Sequence, residues 1–444
     1  MMGKRRILII SSISPYKSAN LGLDVITSLE KIGYEVDFMT QYILPSSKYI
    51  SVKNEVEPEI PVPHKNPSFF KKVVSFICRD TKKKKVKASV PNENQFVIIN
   101  SDEASPPIPP QLITDQIAKT YNFAIILFWQ GMLTTFSIKS VYDKIKVPIF
   151  ILAVDMFPFT GGCFYFWDCR RFINSSCGRC PGLDSNIEND STRQCFNYKQ
   201  FVYQNIECVF LGNKWMRSYI EQTPIVGGKP VRDILLVVDE NVFRIREKKD
   251  LYKEFNLEGE EDSFVIFAGA PSLTEKRKGF TYLVQSINLF LQTLLDQERS
   301  KITLLLAGNP LHDLESYFNN IKVCELGFLD CERLAKAYSL ANVYISPSIE
   351  DAGPSMVNQS IMSGVPVVAF DIGVAQDIVI TGKTGYCAKT LDVTDLAKGI
   401  CYIYSRSVEE QCIIQQNCRK LGIDKFSYAA FANQIREYDR EFCQ

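Results

Sequence analysis

The sequence predicts an α/β protein built from two doubly wound, Rossmann-like halves, and three observations carry that prediction. Uninterrupted apolar runs such as RILIISS over 6–12 are each followed by an amphipathic stretch and a further apolar run. Such runs are the pattern of strands buried on both faces of a parallel sheet. The alternation fades after residue 230 and restarts at 263. Finally, 444 residues exceed the length over which one core usually keeps growing.

The first half opens with a strand over 6–12, a polar loop around Ser14-Pro15, and a helix over 21–32 with Val25, Ile26 and Leu29 on one side. Gly33-Tyr34 then turns the chain into a strand over 35–40, completing a βαβ start. Residues 42–94 are irregular and proline-rich, and contain the basic stretch FFKKVVSFICRDTKKKKVK over 69–87. That stretch reads either as a solvated insertion with an apolar anchor or as an amphipathic segment on an anionic membrane surface. Strands follow over 95–100, 124–128, 147–154 and 208–211, with a helix over 214–221. The loops after the strands at 124–128 and 147–154 are Trp129-Gln130-Gly131 and Asp155 through Cys163, and ligands of open α/β sheets bind at such loops.

Composition narrows the function. Fifty-one basic and fifty acidic residues give a formal charge of +1, so overall charge lends nucleic-acid binding no support. No apolar run reaches the roughly 18–20 residues of a bilayer span, and the run within 1–10 is too short for a signal peptide, which leads to the expectation of a cytoplasmic protein. The two histidines, His64 and His312, lie in no motif, so imidazole chemistry is not the expected basis of activity. Of the fourteen cysteines, Cys163, Cys169, Cys177 and Cys180 cluster, the last two in a CGRCP knuckle. Four such thiolates can hold a structural zinc; a disulfide within the cluster and free thiols are the other two readings.

In the second half strands are expected over 264–268, 301–307, 323–328, 343–345 and 365–370, and helices over 280–295, 331–340, 393–404 and 427–442. A short strand over 235–238 marks the crossing between halves. The stretch SPSIEDAGPSMVNQSIMSGVPVVAF over 346–370 organises this half. Glu350-Asp351 precede Gly353-Pro354-Ser355, which open a helix, and the unpaired amides of such an opening can hold a phosphate. Lys276-Arg277-Lys278-Gly279 adds three cations in an earlier loop, either for phosphate or as a solvated basic turn.

This layout resembles the donor-binding motif of family-4 (group 1) retaining glycosyltransferases. The Asp155 and Thr160-Gly161-Gly162-Cys163 segment is similar to a bacterial polysaccharide-biosynthesis subset of them. The resemblance implies the GT-B fold, two Rossmann-like domains facing each other across a cleft. Residues 1–235 would be the acceptor side, with a basic insertion over 42–94 and a Cys-rich segment over 155–195. Residues 236–425 would bind the donor, and 426–444 would form a helix crossing back. By the same resemblance Glu350, Lys278 and Asp155 are catalytic, with Glu350 or Asp351 as the first acid of the motif. Gln359 stands in place of a second glutamate at the ribose. Lys276, Arg277, Gly269, Gly353, Pro354, Ser355 and Gly22 contact the donor, and Gly327 and Phe328 hold its base. Val154 and Phe128 occupy positions where relatives carry histidine. The implied partners are a nucleotide-sugar donor and a glycan or lipid-linked acceptor for a surface polysaccharide, with 69–87 touching the inner membrane face. No Asp-x-Asp motif is present, so no metal is expected in catalysis. A nucleotide-sugar epimerase and a non-catalytic nucleotide-sugar-binding or scaffold protein are the alternatives.

Overall fold

The computed structural model describes residues 5–16, 20–44, 46–55, 96–98, 103, 105–309, 314–318 and 321–443. The basic stretch over 69–87 lies outside the described residues.

Two separate parallel sheets form the frame. The first contains β1 (Arg6–Ile10), β2 (Glu35–Tyr42), β3 (Tyr49–Glu55), β4 (Phe123–Ile126), β5 (Ile149–Leu152), β6 (Cys208–Gly212) and β7 (Val231–Asp233), in the order β3-β2-β1-β4-β5-β6-β7. The second contains β8 (Phe264–Ala270), β9 (Ile302–Gly308), β10 (Lys322–Gly327), β11 (Val343–Ser346), β12 (Val367–Phe370) and β13 (Gly385–Ala388), in the order β10-β9-β8-β11-β12-β13. Every strand pair in both sheets is parallel.

The apolar runs are uninterrupted because both faces of each sheet are covered. In β1, Leu8 and Ile10 belong to one core while Ile7 and Ile9 belong to another on the opposite face. Each such side chain is worth about 1.5–3 kcal/mol of burial. Helix α1 (Leu21–Lys31) places Val25, Ile26 and Leu29 on the Ile7 face, as its apolar spacing predicts.

The chain changes halves twice. The expected strand over 235–238 is displaced: β7 ends at Asp233, and Ile234 only donates its amide to Gly212. Beyond it Ile234 and Val237 pack into the first half, whereas Val238 and Phe243 pack into the second. The return crossing runs beside the first, with the Val238 amide bonded to the Phe426 carbonyl. It leads from α2 (Val408–Phe426) into α3 (Tyr428–Phe442). Helix α3 lies on the first half, where Phe431 and Ile435 join the Ile7 core and Tyr34 donates to Asp439 at 2.7 Å.

Two other features differ from expectation. β3 falls in the stretch read as irregular, where it forms the sheet's edge. The expected strand over 95–100 shows only an Ile98–Cys163 bridge, residues 95, 99 and 100 lying outside the described residues. No described helix is long and apolar enough to cross a membrane.

Candidate active site between the two sheets

Two loops at the carboxyl ends of β8 and β11 build the site. After β8 the chain makes a tight turn over Lys276–Lys278, closed by Gly279 at φ +70°. A β-carbon at Gly279 would sit 1.9 Å from the Pro347 carbonyl oxygen, so glycine is required by both conformation and space. With the loops this close, the Ile349 amide donates to the Arg277 carbonyl at 2.8 Å.

Asp351 is the centre of charge. It accepts from Lys278 Nζ at 2.5 Å, Arg277 at 2.8 Å and the Gly353 amide at 3.2 Å. Burial works to raise this carboxyl, but Lys278 and Arg277 outweigh it and hold it below the ordinary carboxylate range. Arg277 also pairs with Glu275, and the Tyr165 ring lies 4.2 Å from its guanidinium. Lys276 is exposed at the rim.

Glu350, the adjacent residue, behaves oppositely. Its Oε1 accepts from the Phe166 and Trp167 amides of the first half, both at 3.2 Å. Burial pushes its carboxyl up to about 7, against the pull of those two amides. A second bond across the cleft runs from Asn213 to the Ala352 carbonyl at 2.6 Å, and Lys214 donates its amide to Asp377 at 3.2 Å.

The helix Ser355–Met362 opens beside these loops, with Pro354 at its head and no side chain capping it. The approach is close because Gly269 has no side chain: a β-carbon there would meet the Ala307 carbonyl at 2.9 Å and the Met356 methyl at 3.1 Å. Ser355 and Gln359 line a small cavity with Leu21 and Asp24 of α1 and the crossing segment. Gln359 is buried and its Oε1 has no hydrogen-bond partner among the described residues. Asp24 accepts from Tyr428 of α3 at 2.7 Å, and burial raises its carboxyl to about 7.

The other expected residues are more scattered. Gly22 packs on Pro15, where a β-carbon would come within 2.7 Å, and only its neighbours Leu21 and Asp24 face the helix at 355. Gly327 and Phe328 end β10, three strand spacings or about 14 Å from β11. Phe328 is 56% exposed. Asp155 is buried in the first half, capping the turn Phe157–Phe159 through the Phe157 amide at 2.8 Å and accepting from Gln130 at 3.3 Å. Its carboxyl is pushed up to about 7 by burial.

The fold brings the expected cysteines together. Cys163, Cys169, Cys177 and Cys180 line one small cavity, but all are free thiols. The described residues contain no group of three or more His, Cys, Asp or Glu able to hold a metal ion. Burial raises the Cys169 and Cys177 thiols above their ordinary range.

Sequence reading missed Tyr165, Phe166, Trp167, Asn213 and Asp24. Asn213 was findable, since it directly follows β6 and caps the helix Lys214–Ile220. The aromatic run FYFW between Cys163 and Asp168 was the available signal for Tyr165, Phe166 and Trp167.

Residues 248–421 match the family described as glycosyl transferases group 1. Sulfoquinovosyl transferase SQD2 of Arabidopsis thaliana is 28% identical over 151 residues, covering 33% of this chain and 29% of that protein. An uncharacterized 41.2 kDa protein in the cps region of Klebsiella pneumoniae is 23% identical over 169 residues, 38% of this chain and 44% of that one. These matches thus span less than half of each curated relative. Among solved structures, sucrose-phosphate synthase from Thermosynechococcus elongatus superposes with a TM-score of 0.64 at 16% identity, over 99% of both chains. Anabaena Alr3699/HepE in complex with UDP and glucose gives 0.60 at 14% identity, over 98% of this chain and 100% of the other. At such identities the likeness shows the fold, which is GT-B.

Proposed function

We propose that this chain, with a group 1 glycosyl transferase match over residues 248–421, is a retaining glycosyltransferase using a nucleotide-sugar donor. The observation that carries the proposal is the convergence of Lys278, Arg277 and the uncapped head of the helix Ser355–Met362 around Asp351. When a sugar leaves its nucleotide, charge develops on the pyrophosphate, and prearranged cations and helix-terminal amides stabilise it without a nucleophile. Asp351 lets two cations stand side by side by offsetting their repulsion, and keeps them aimed at the cleft. Glu350 supplies a carboxylate for sugar hydroxyls, since both backbone amides use the same oxygen, Oε1. Gln359, with its unpartnered oxygen, supplies an acceptor for the ribose. Gly327 and Phe328, at the far side of the sheet, take the base.

The acceptor is proposed to be a glycan or lipid-linked glycan in surface polysaccharide synthesis. A relative encoded in a cps region and the similarity around Asp155 and Thr160–Cys163 support that choice. A lipid-linked acceptor also gives the basic segment 69–87 a role on the membrane face, on its charge pattern alone.

The test is transfer from a panel of nucleotide sugars to extracted lipid-linked acceptors, with the anomeric configuration of donor and product read by NMR. Lys278→Ala and Glu350→Ala should each lower transfer by about 10²-fold or more, and inversion at the anomeric carbon would refute the retaining mechanism. The second reading, a non-catalytic nucleotide-sugar binder, draws on Gln359 in place of a glutamate. It predicts binding of a nucleotide sugar without turnover.

A further inference from the structure

The loop after β5 crosses the cleft, and three consecutive residues of it touch the second half in two different ways. The Arg277 guanidinium carbon lies over the Tyr165 ring, 4.2 Å from its centroid. The Phe166 and Trp167 amides both donate to Glu350, which requires the backbone to turn sharply, and Trp167 takes φ +50° to do so. The loop is rigid on its own side: the Phe166 ring stacks on Trp215 with an interplanar angle of 11°, touches Tyr219 at 4.6 Å, and carries Arg170 over it at 4.8 Å.

A guanidinium offers donors along its edges and two π faces. In Arg277 the edges are taken by Glu275 and Asp351, and these bonds fix the group within its plane. They leave the group's remaining freedom to whatever else packs against it, and the Tyr165 ring does so.

We infer that Tyr165 is a positioning residue for Arg277, and that Glu350 is the peg that seats its loop. The cation of the donor half is thus aimed only when a loop of the acceptor half is docked. This rests on the proposed role of Arg277 at the donor phosphates. Occupancy of the acceptor side that orders the loop then strengthens the grip on the donor, and a donor bound alone is held less firmly.

Two measurements on the full-length protein test this. Calorimetric titration with UDP, GDP and ADP reports the cation, and hydrogen exchange at the Phe166 and Trp167 amides reports the docking. Tyr165→Ala should weaken the best-bound nucleoside diphosphate about tenfold. Tyr165→Phe, which keeps the ring, should remain within about twofold. Glu350→Ala should speed exchange at both amides and weaken binding as Tyr165→Ala does. Tyr165→Ala binding as tightly as wild type, while Arg277→Ala binds poorly, would overturn the positioning role. Unchanged exchange in Glu350→Ala would overturn the peg. Should the wild type bind none of the three nucleotides, the donor reading fails and the positioning of Arg277 with it. The exchange arm then still decides whether Glu350 seats the loop.

Discussion

Glu350 and Asp351 are neighbours in sequence and almost equally buried, yet their environments push them in opposite directions. Asp351 looks into its own half and meets two cations held by a loop from the same sheet. Glu350 looks across the cleft and accepts from two backbone amides, with the Arg170 charge a lesser pull. Burial costs an ionised carboxylate the same in both places; a nearby full charge overcomes that cost, and two amides do not. One wall of the cleft is therefore assembled by charge and the other by backbone docking.

The largest expected effect breaks the charged wall. Lys278→Ala should lower transfer by about 10²–10³-fold, as removing one stabilising donor from a transition state does. Asp351→Ala should in addition cost about 3 kcal/mol of stability by leaving Lys278 without its carboxylate and Arg277 with Glu275 alone, read as a drop in urea midpoint. A Lys278→Ala enzyme within threefold of wild type would show that the basic turn is ordinary surface. Next comes Gly279→Ala, where a left-handed φ and a contact with Pro347 combine. It should destabilise by about 2–4 kcal/mol and separate the two loops, which a thermal melt will register.

The docked wall is probed by pH. Asp24, Asp155 and Glu350 all have carboxyls raised to about 7, so between about pH 4 and 7 the folded chain binds more protons than the unfolded one. Their contribution is complete below the unfolded pKa values and is lost as pH rises through 7. Urea midpoints should accordingly fall between pH 5 and 7.5, and Glu350→Gln should flatten part of that slope. Asp351 works in the other sense: its contribution is present above the ordinary carboxylate pKa and lost as pH falls below the lowered one. The smallest effect belongs to Gln359→Met, which removes an unpartnered buried oxygen. Stability should stay level or rise by about 1 kcal/mol, while nucleoside diphosphate binding weakens.

The two walls also differ in how well the sequence announced them. Lys276–Gly279, Glu350-Asp351 and the helix start at 354–356 are local patterns, and each lies at the end of a strand whose unbroken apolar run was plain. Helix α2 escaped notice because only Ile414, Cys418, Gly422 and Phe426 are buried along it, a stripe one residue wide containing a glycine. The loop over 163–170 displayed its cysteines, and thiol spacing drew the attention that Tyr165 and Trp167 merited. Which of two adjacent acids faces a cation, and which faces the opposite domain, depends on how two halves meet. No periodicity within either half encodes that.

The return of α3 to the first half has a consequence for the order of events during synthesis. Phe431 and Ile435 complete the face of β1 that carries Ile7 and Ile9, and Asp439 takes the hydroxyl of Tyr34. The first half thus waits with an open apolar face until the residues of α3 have been translated. Premature termination anywhere in α3 would leave an intact second half attached to an unfinished first one.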